Sequence, residues 1–508
     1  MDVFLNIFGG FSALADWTVI AFMIAGFLIG TFFGAMPGLT SVLAIALLLP
    51  ITYTIDVVPA LVMSASIFMA GMYSGSITAT TINIPGAPSS MMTAIEGNQL
   101  MKKGFGANAL GHAALGSMIG GSIGAVLLMV FMPAAAELSL LIRTPGKFSL
   151  VLFALIVIIL VDKENMAKGI VSTLLGIMIA TVGIDVLQPI PRFNFGTETL
   201  VEGIDIMPLV IGAFAVSEVL MQAQTWRESL KGTLDAARKV EIRRRDFIPP
   251  MSEIREIGFW AYLRSAFIGY GIGILPGAGG SMAAFVSYAV ARSGSKNSKE
   301  YGHGSREGIA TAESANNSMC GGAFVPMLMF GIPGDPTTAI VLGVLVINGL
   351  QPGPRLLETQ ADLLAPMLGS LFISALILIP LTLYLLGPYF VRIVSIPKGL
   401  LYAAIAVVAL VGAYVATYSV FQMTLALIFG VLAYIMRRQN YSTVSLLLGF
   451  ILGPDLEEYL RRTLSLNDGN PSIFVTSPDS LFFLVLTAIF AYAILFRGRG
   501  KAKQPVEE

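Results

Sequence analysis

The chain has 508 residues, of which 55% are hydrophobic and only 12% are charged. Soluble proteins carry about 25% charged residues, so this composition excludes an ordinary soluble protein and indicates a membrane protein. The formal net charge is zero, which removes any electrostatic case for binding nucleic acid, and the single cysteine, Cys320, excludes an internal disulfide.

Long apolar runs follow one another along the chain. They cover residues 17–35, 150–161, 170–182, 206–220, 363–386, 400–415, 420–436 and 481–496. Several reach the roughly 20 residues that a spanning helix needs, and the shorter ones suggest broken or tilted segments. We therefore expect an all-α polytopic membrane protein with about 10 to 14 membrane segments.

Two motifs occur twice. The pattern Gly-xxx-Gly-xx-Pro-Gly at residues 30–38 recurs at residues 269–277, a shift of 239 (276 minus 37). The pattern Ile-Pro-Gly-Ala-Pro-Ser-Ser at residues 84–90 recurs as Ile-Pro-Gly-Asp-Pro-Thr-Thr at residues 332–338, a shift of 248 (333 minus 85). The chain is therefore predicted to be duplicated. Paired Gly/Pro breaks in corresponding halves indicate the binding site of a secondary transporter.

Basic residues predict the orientation in the membrane. No Lys or Arg precedes Lys102, whereas basic residues flank the second copy of the first motif and also occur at Arg437 and Arg438. We place residues 1–16 and 51–60 outside, and the basic flanks in the cytoplasm. The segments around the first motif then enter and leave the membrane on one side as re-entrant hairpins, residues 17–55 from the outside and residues 260–291 from the cytoplasm. We expect two inverted-topology repeats whose tips meet near the midplane. The alternative is that each segment forms two full spans.

The predicted organisation has four parts. A first transmembrane repeat covers residues 1–224, a cytoplasmic linker covers 225–256, a second transmembrane repeat covers 257–436, and C-terminal transmembrane segments with a cytoplasmic tail cover 437–508. The linker carries seven basic residues from Arg227 to Arg245, which suit either an amphipathic helix on the membrane surface or a solvated loop.

The Pro-Gly runs predict broken transmembrane helices. Proline lacks an N–H and glycine weakens a helix, so such a run leaves carbonyl groups without intrahelical donors. This backbone is tolerated at membrane depth only against protein or a water-filled cavity. A helix that restarts beyond the break presents its N-terminus to an anion, and the freed carbonyls before it suit a cation. A simple kink or tight turn is the alternative for each break.

These breaks supply the candidate site residues. Residues with hydroxyl or amide groups are predicted to bind substrate: Thr40, Ser41, Ser89, Ser90, Ser281, Asn316, Asn317, Thr337 and Thr338. Residues with freed carbonyls or polar oxygens are predicted to bind a coupling ion: Asn83, Pro85, Gly86, Pro333, Gly334 and Asp335. Helix–helix hydrogen bonding is the alternative for the two asparagines at 316 and 317. Asp335, replaced by Ala87 in the first half, is predicted to be a cation ligand or a proton acceptor, and the alternative is a cap or an ion pair with a nearby base.

The same motifs carry a family resemblance. The stretch from Gly34 to Leu39, the motif at 84–90, Ala315-Asn-Asn317 and the stretch from Gly331 to Pro354 closely resemble the TctA family, the large membrane subunit of tripartite tricarboxylate transporters. The resemblance covers approximately residues 15–430. It implies a bacterial inner-membrane importer of di- or tricarboxylates that uses Na⁺ or H⁺ as coupling ion and has no cofactor. It further implies a small TctB-like membrane subunit, a periplasmic TctC-like solute-binding protein and an elevator-like motion.

An ion-coupled secondary importer is therefore the leading interpretation. The alternative is a passive channel or facilitator for organic anions, which the same broken helices could build. The sequence contains no HExxH, nucleophile elbow or phosphate loop, so we do not expect an enzyme or a transition-metal site. The transported carboxylate, the choice between Na⁺ and H⁺, and the choice between monomer and homodimer stay open at this stage.

Overall fold

The computed structural model describes residues 11–161, 165–229, 244–393 and 398–496. In the first half, the described α-helices are α1 Trp17–Gly34, α2 Ser41–Thr52, α3 Val57–Ile82, α4 Met91–Lys102, α5 Gly106–Leu140, α6 Thr144–Val161, α7 Met166–Ala180, α8 Ile206–Val210 and α9 Ser217–Ser229. A π-helix, Ile211–Val216, joins α8 to α9. Strands β1 (Gly183–Ile184) and β2 (Pro191–Arg192) form a short antiparallel hairpin.

The second half is also helical. Its described α-helices are α10 Met251–Ile257, α11 Phe259–Gly273, α12 Gly279–Gly294, α13 Arg306–Phe330, α14 Pro336–Ile347, α15 Pro354–Thr359, α16 Ala361–Ile373, α17 Ile379–Ile393, α18 Lys398–Thr417, α19 Val420–Arg438, α20 Thr443–Leu466, α21 Ile473–Thr476 and α22 Pro478–Phe496. A π-helix, Ser374–Leu378, joins α16 to α17.

The helical, membrane-type architecture predicted from the sequence is confirmed. Within the described ranges, six helices are long and apolar enough to cross a membrane: Trp17–Gly34, Val57–Ile82, Gly106–Leu140, Ile206–Ala223, Ala361–Tyr389 and Val420–Arg438. Shorter apolar helices of 10–17 residues, such as Ser41–Thr52 and Pro336–Ile347, accompany them. The β1–β2 hairpin is the only strand pairing in this part of the chain.

Helices α3 and α13 form the centre of the protein. Residues 59–80 of α3 and 308–329 of α13 are buried throughout. The rings of Phe68 and Phe324 join the two helices, with 6.0 Å between their centroids. Around this centre, α1 packs on α3, α11 packs on α13, and α5 lies along α13. The Pro-Gly runs at 84–90 and 332–338 adjoin the ends of these buried helices. The run at 332–338 is almost entirely buried in protein, whereas Asn83, Ile84 and Pro88 at the other break are exposed.

The break at residues 84–90, called the first break below, reverses the direction of the chain. Helix α3 is capped at its C-terminal end by Asn83, which has a left-handed φ of 59°. The amide of Gly86 then donates to the carbonyl oxygen of Gly75 at 3.3 Å, and the 3₁₀ turn Pro88–Ser90 leads into α4. A Cβ atom at Gly86 would lie 2.1 Å from the carbonyl oxygen of Gly34, so only glycine permits this close approach.

The break at residues 332–338, called the second break below, repeats this arrangement at equivalent positions. Helix α13 ends at Gly331, with a left-handed φ of 67°, which lies 248 residues after Asn83. A Cβ atom at Gly334 would lie 2.6 Å from the carbonyl oxygen of Gly273, the equivalent of Gly34. The same pairs of positions therefore meet in both halves.

Two outer helix pairs join the halves. Gly176 of α7 packs against the backbone of Gly449 in α20, and Gly212 of the π-helix packs against Gly430 in α19. The contact between Gly212 and Gly430 brings α9, which follows the π-helix, next to α19.

Four ion pairs between two arginines and two carboxylates fix the β1–β2 hairpin to α20. Arg192 lies 3.0 Å from Asp185 and 2.7 Å from Glu457, and Arg461 lies 2.6 Å and 2.8 Å from the same two carboxylates. The hydrogen bond from Arg461, together with backbone amides of the hairpin, lowers the pKa of Asp185 to about 2. The network therefore keeps its charges at neutral pH.

The predicted domain boundaries stay predictions. Helix α9 continues to Ser229, past the proposed end of the first repeat at residue 224. The basic linker residues between 230 and 243 and the tail from 497 to 508 lie outside the described residues.

Candidate functional site

The chain is broken at both copies of both motifs, near residues 37–40, 84–90, 276–280 and 332–338. All four breaks border a single cavity of about 600 Å³. Its lining includes Thr40 and Ser41 at the start of α2, Ser89 before α4, Ser281 in the first turn of α12, and Thr337 in the first turn of α14. Each hydroxyl thus belongs to the beginning of a helix, where backbone amides lack intrahelical partners. Four helix N-termini, two from each half, converge on this space.

The two halves touch directly at the cavity. The hydroxyl oxygens of Ser41 and Thr337 lie 3.4 Å apart, and both side chains are buried. Thr40 caps α2, because its Oγ1 accepts a hydrogen bond from the amide of Leu43 at 3.3 Å.

Asp335 caps α14. Its Oδ1 accepts a hydrogen bond from the amide of Thr337 at 2.8 Å, and its own amide donates to the hydroxyl of Thr338 at 3.0 Å, which completes a capping box. The carboxyl group also faces the backbone of Gly280 at the start of α12. Of the roles that the sequence allows for Asp335, capping is therefore present, and the binding of a cation or a proton stays a prediction.

Asn316 and Asn317 tie α13 to α3. Their Nδ2 atoms donate to the carbonyl oxygens of Met72 at 3.0 Å and Met69 at 3.1 Å, respectively. The two asparagines therefore form the helix–helix hydrogen bonds that the sequence allows as their alternative role. Neither Oδ1 atom accepts a hydrogen bond within the described part of the chain, although both side chains are fully buried. The Oδ1 of Asn316 would lie 2.6 Å from a Cβ atom on the cavity residue Gly280, so this free acceptor borders the cavity wall.

Glu313 lies one turn before Asn316 and is 1% exposed. Its carboxyl group accepts hydrogen bonds from the hydroxyl of Thr93, from the hydroxyl of Ser117 at 3.4 Å and from Nδ2 of Asn316 at 3.3 Å. The sequence gives this residue no defined role. The structure connects it to the cavity wall through Asn316.

Some predicted site residues do not line the cavity. Of the predicted ion-binding residues, Pro85, Gly86 and Asp335 line the cavity. Seven predicted residues from the two sets are not part of the lining: Asn83, Ser90, Asn316, Asn317, Pro333, Gly334 and Thr338. Asn83 is exposed, and the hydroxyl of Thr338 is occupied by the capping box. The roles assigned to all these residues stay predictions.

Four polar residues of the cavity are absent from the sequence-based set: Glu218, Gln222, Arg437 and Thr443. Arg437 lies 2.7 Å from Glu218, and Gln222 donates to the other oxygen of Glu218 at 2.8 Å. Glu218 sits in the apolar run at 206–220, where an acidic residue is itself a signal of function. Arg437 gives no comparable signal, because a basic residue at a helix end is also what the positive-inside rule produces.

A second cavity, of about 770 Å³, lies on the other side of the second break. Its lining includes Lys147, Glu202, Glu458 and the segment Phe330–Ile332. It shares no lining residue with the first cavity, and only Pro333 and Gly334 separate Ile332 from Asp335 along the chain. A short stretch of backbone therefore separates the two cavities at this point.

Comparison with known proteins gives a family match over most of the chain. Residues 20–448 match the model of the "Tripartite tricarboxylate transporter TctA family". This range contains all four breaks and ends in the first turns of α20, and it confirms the resemblance carried by the motifs.

Two relatives come from Agrobacterium vitis. The "Uncharacterized 52.8 kDa protein in TAR-I ttuC' 3'region" is 35% identical over 487 residues, which cover 96% of this chain and 95% of that protein. The "Uncharacterized protein in TAR-II ttuC' 3'region" is 39% identical over 215 residues, which cover 42% of this chain and 88% of that protein. No solved structure matches the chain.

Proposed function

The chain belongs to the tripartite tricarboxylate transporter TctA family, and from this membership we propose that it is the large membrane subunit of an ion-coupled secondary active importer of di- and tricarboxylates. The observation that carries the proposal is the convergence of four helix N-termini on one cavity. Each N-terminus carries about half a positive charge, so together they favour a multiply charged anion. The hydroxyls of Thr40, Ser41, Ser89, Ser281 and Thr337 donate hydrogen bonds to its oxygens.

The coupling ion, Na⁺ or H⁺, binds beside the substrate. Carbonyl groups at Pro85 and Gly86 and the unpartnered Oδ1 of Asn316 are neutral oxygens of the type that hold Na⁺ in broken-helix transporters. The carboxyl groups of Asp335 and Glu313 are the groups that would carry a proton instead. Both sets adjoin the helix starts, so the ion neutralises part of the substrate charge.

The two halves are inverted repeats, and their re-entrant hairpins and broken helices move the site from one side of the membrane to the other. The matched contacts of Gly86 with Gly34 and of Gly334 with Gly273 support a duplicated design. The separate cavities on either side of Pro333 and Gly334 support alternating access. We favour an elevator-like motion because the family resemblance implies one.

The importer has three components, in keeping with the tripartite family. A small TctB-like membrane subunit accompanies this chain, and a periplasmic TctC-like solute-binding protein delivers the carboxylate. The complex lies in the bacterial inner membrane, with the basic loops in the cytoplasm.

Uptake by the reconstituted complex tests this function. The chain and its small subunit are placed in liposomes, the binding protein is added, and uptake of labelled succinate, malate, citrate and acetate is measured under a Na⁺ or a pH gradient. We expect at least one di- or tricarboxylate to accumulate above its external concentration, and an ionophore for the coupling ion to abolish accumulation. Uptake that stops at equilibrium would support a passive facilitator, and no carboxylate uptake would overturn the proposal.

A further inference from the structure

Arg437 and Glu218 form an ion pair inside the candidate substrate cavity. Nη2 of Arg437 lies 2.7 Å from Oε2 of Glu218, and both residues line the cavity together with the helix starts. Arg437 is the only basic residue among the described residues that line this space. It lies in the last turn of α19, in the second half, whereas Glu218 lies in the first turn of α9, in the first half.

The two partners differ in how firmly they are held. The side chain of Glu218 is 8% exposed, and its Oε1 is held by Nε2 of Gln222 at 2.8 Å. Arg437 is 32% exposed, and its Nη1 contacts the hydroxyl of Ser217 at 3.3 Å. The guanidinium therefore reaches the open space, while the carboxylate is fixed in the wall.

We propose that Arg437 binds a carboxylate group of the transported anion, and that Glu218 takes the place of this group when the cavity is empty. The inference rests on the proposed function, because it assigns one substrate group to one residue. Glu218 gives the partly buried guanidinium of Arg437 a partner between transport cycles, since a partly buried charge without a partner is unfavourable. A guanidinium has five donors arranged to bind carboxylates in pairs, so an incoming carboxylate can share or displace the single contact from Glu218.

The charge balance connects this exchange to the coupling ion. Asp335, Glu218 and Arg437 are the charged residues among the described cavity lining, and their formal sum is −1. A dicarboxylate that enters without a cation would bring the sum to −3. The cation that travels with the substrate reduces this charge, which makes carboxylate binding at Arg437 dependent on it.

Ligand binding to the purified chain in detergent tests the assignment. The probes are succinate and citrate, each compared with its monoamide, in the presence of Na⁺ at fixed pH. Arg437→Gln should weaken binding of the full carboxylates by about 10- to 100-fold and remove the preference for them over the monoamides. The matched control is Arg438→Gln, because the neighbouring Arg438 is exposed and outside the lining. It should keep both the affinity and the preference.

Two further variants separate substrate binding from a purely structural ion pair. Glu218→Gln removes the competing carboxylate and should tighten binding several-fold, whereas a structural pair predicts unchanged or weaker binding with a lower melting temperature. The charge swap Glu218→Arg with Arg437→Glu restores the ion pair in reverse. We expect the swapped protein to melt near the wild-type temperature but to bind no carboxylate, and normal binding by it would overturn the inference.

The outcomes also distinguish this inference from the proposed function. If the wild-type chain binds neither succinate nor citrate and the complex takes up no carboxylate, the function itself fails. If the wild-type chain binds them and Arg437→Gln keeps the preference over the monoamides, only the role of Arg437 fails.

Discussion

The hydroxyl groups of Ser41 and Thr337 lie 3.4 Å apart, although 296 residues separate them in the sequence. One belongs to the start of α2 and the other to the start of α14. Because these helices come from opposite halves, each half supplies part of a single polar surface. The site therefore needs both halves.

Replacing Thr337 by Val removes this hydroxyl while keeping the shape of the side chain. A hydrogen bond to a charged group contributes about 1.5 to 3 kcal/mol, so carboxylate uptake by whole cells should fall about 10-fold or more. Thr424→Val is the matched control, since Thr424 is exposed and lies outside the cavity. Equal uptake by both variants would remove Thr337 from the site.

Replacing Gly86 by Ala should prevent the first break from forming. The added Cβ would lie 2.1 Å from the backbone oxygen of Gly34, which cannot move without shifting α1. We expect a loss of about 3 kcal/mol or more, seen as a large drop in melting temperature in detergent. Gly271→Ala provides the control, because Gly271 has no atom within 4 Å of the added Cβ. Wild-type melting of the Gly86 variant would contradict the packing described for the break.

Replacing Asp335 by Asn separates capping from ion binding. Asparagine caps helices as well as aspartate does, so the melting temperature should stay within a few degrees of wild type. The charge is lost, and we expect the concentration of Na⁺ or H⁺ that supports half-maximal uptake to rise about 10-fold. An unchanged ion dependence would leave Asp335 with the capping role alone.

Replacing Glu96 by Gln should loosen the loop before α13. The buried carboxylate of Glu96 accepts hydrogen bonds from the amides of Gly302 at 2.6 Å, Gly304 at 2.8 Å and Ser305 at 2.8 Å. A glutamine turns an NH₂ group toward these donors, which should cost about 3 kcal/mol. Faster hydrogen exchange at residues 302–305 would report the change. Glu300→Gln, at an exposed position, should leave the exchange rates as they are.

The breaks and the helix restarts could be predicted from the sequence because their cause is local. Proline lacks a donor and glycine permits backbone approach wherever they occur, so the runs at 84–90 and 332–338 identify interrupted helices before any contact is known. Hydroxyl residues directly after such runs are in position to cap a helix. This reasoning predicts seven hydroxyl residues. Five of them line the cavity (Thr40, Ser41, Ser89, Ser281 and Thr337), whereas Ser90 and Thr338 do not.

The remaining lining depends on how helices rotate and pack, which a local pattern does not specify. Asn83 follows the same logic as its neighbours, yet its left-handed conformation directs the chain back and leaves the residue exposed. Pro333 and Gly334 are buried behind Asp335. Arg437 and Glu218 meet only because α9 packs against α19, a contact between distant parts of the chain.

A cysteine pair at positions 41 and 337 tests the central claim most directly. Cys320 is the only native cysteine, so a Cys320→Ala chain carrying Ser41→Cys and Thr337→Cys has no other thiol. Hydroxyls 3.4 Å apart place the new sulfurs within reach of a disulfide. We predict that mild oxidation in the membrane joins the two positions and blocks uptake, that reductant restores it, and that bound carboxylate slows the reaction. Failure of the two thiols to join under any condition, with uptake intact, would contradict a site shared by the two halves.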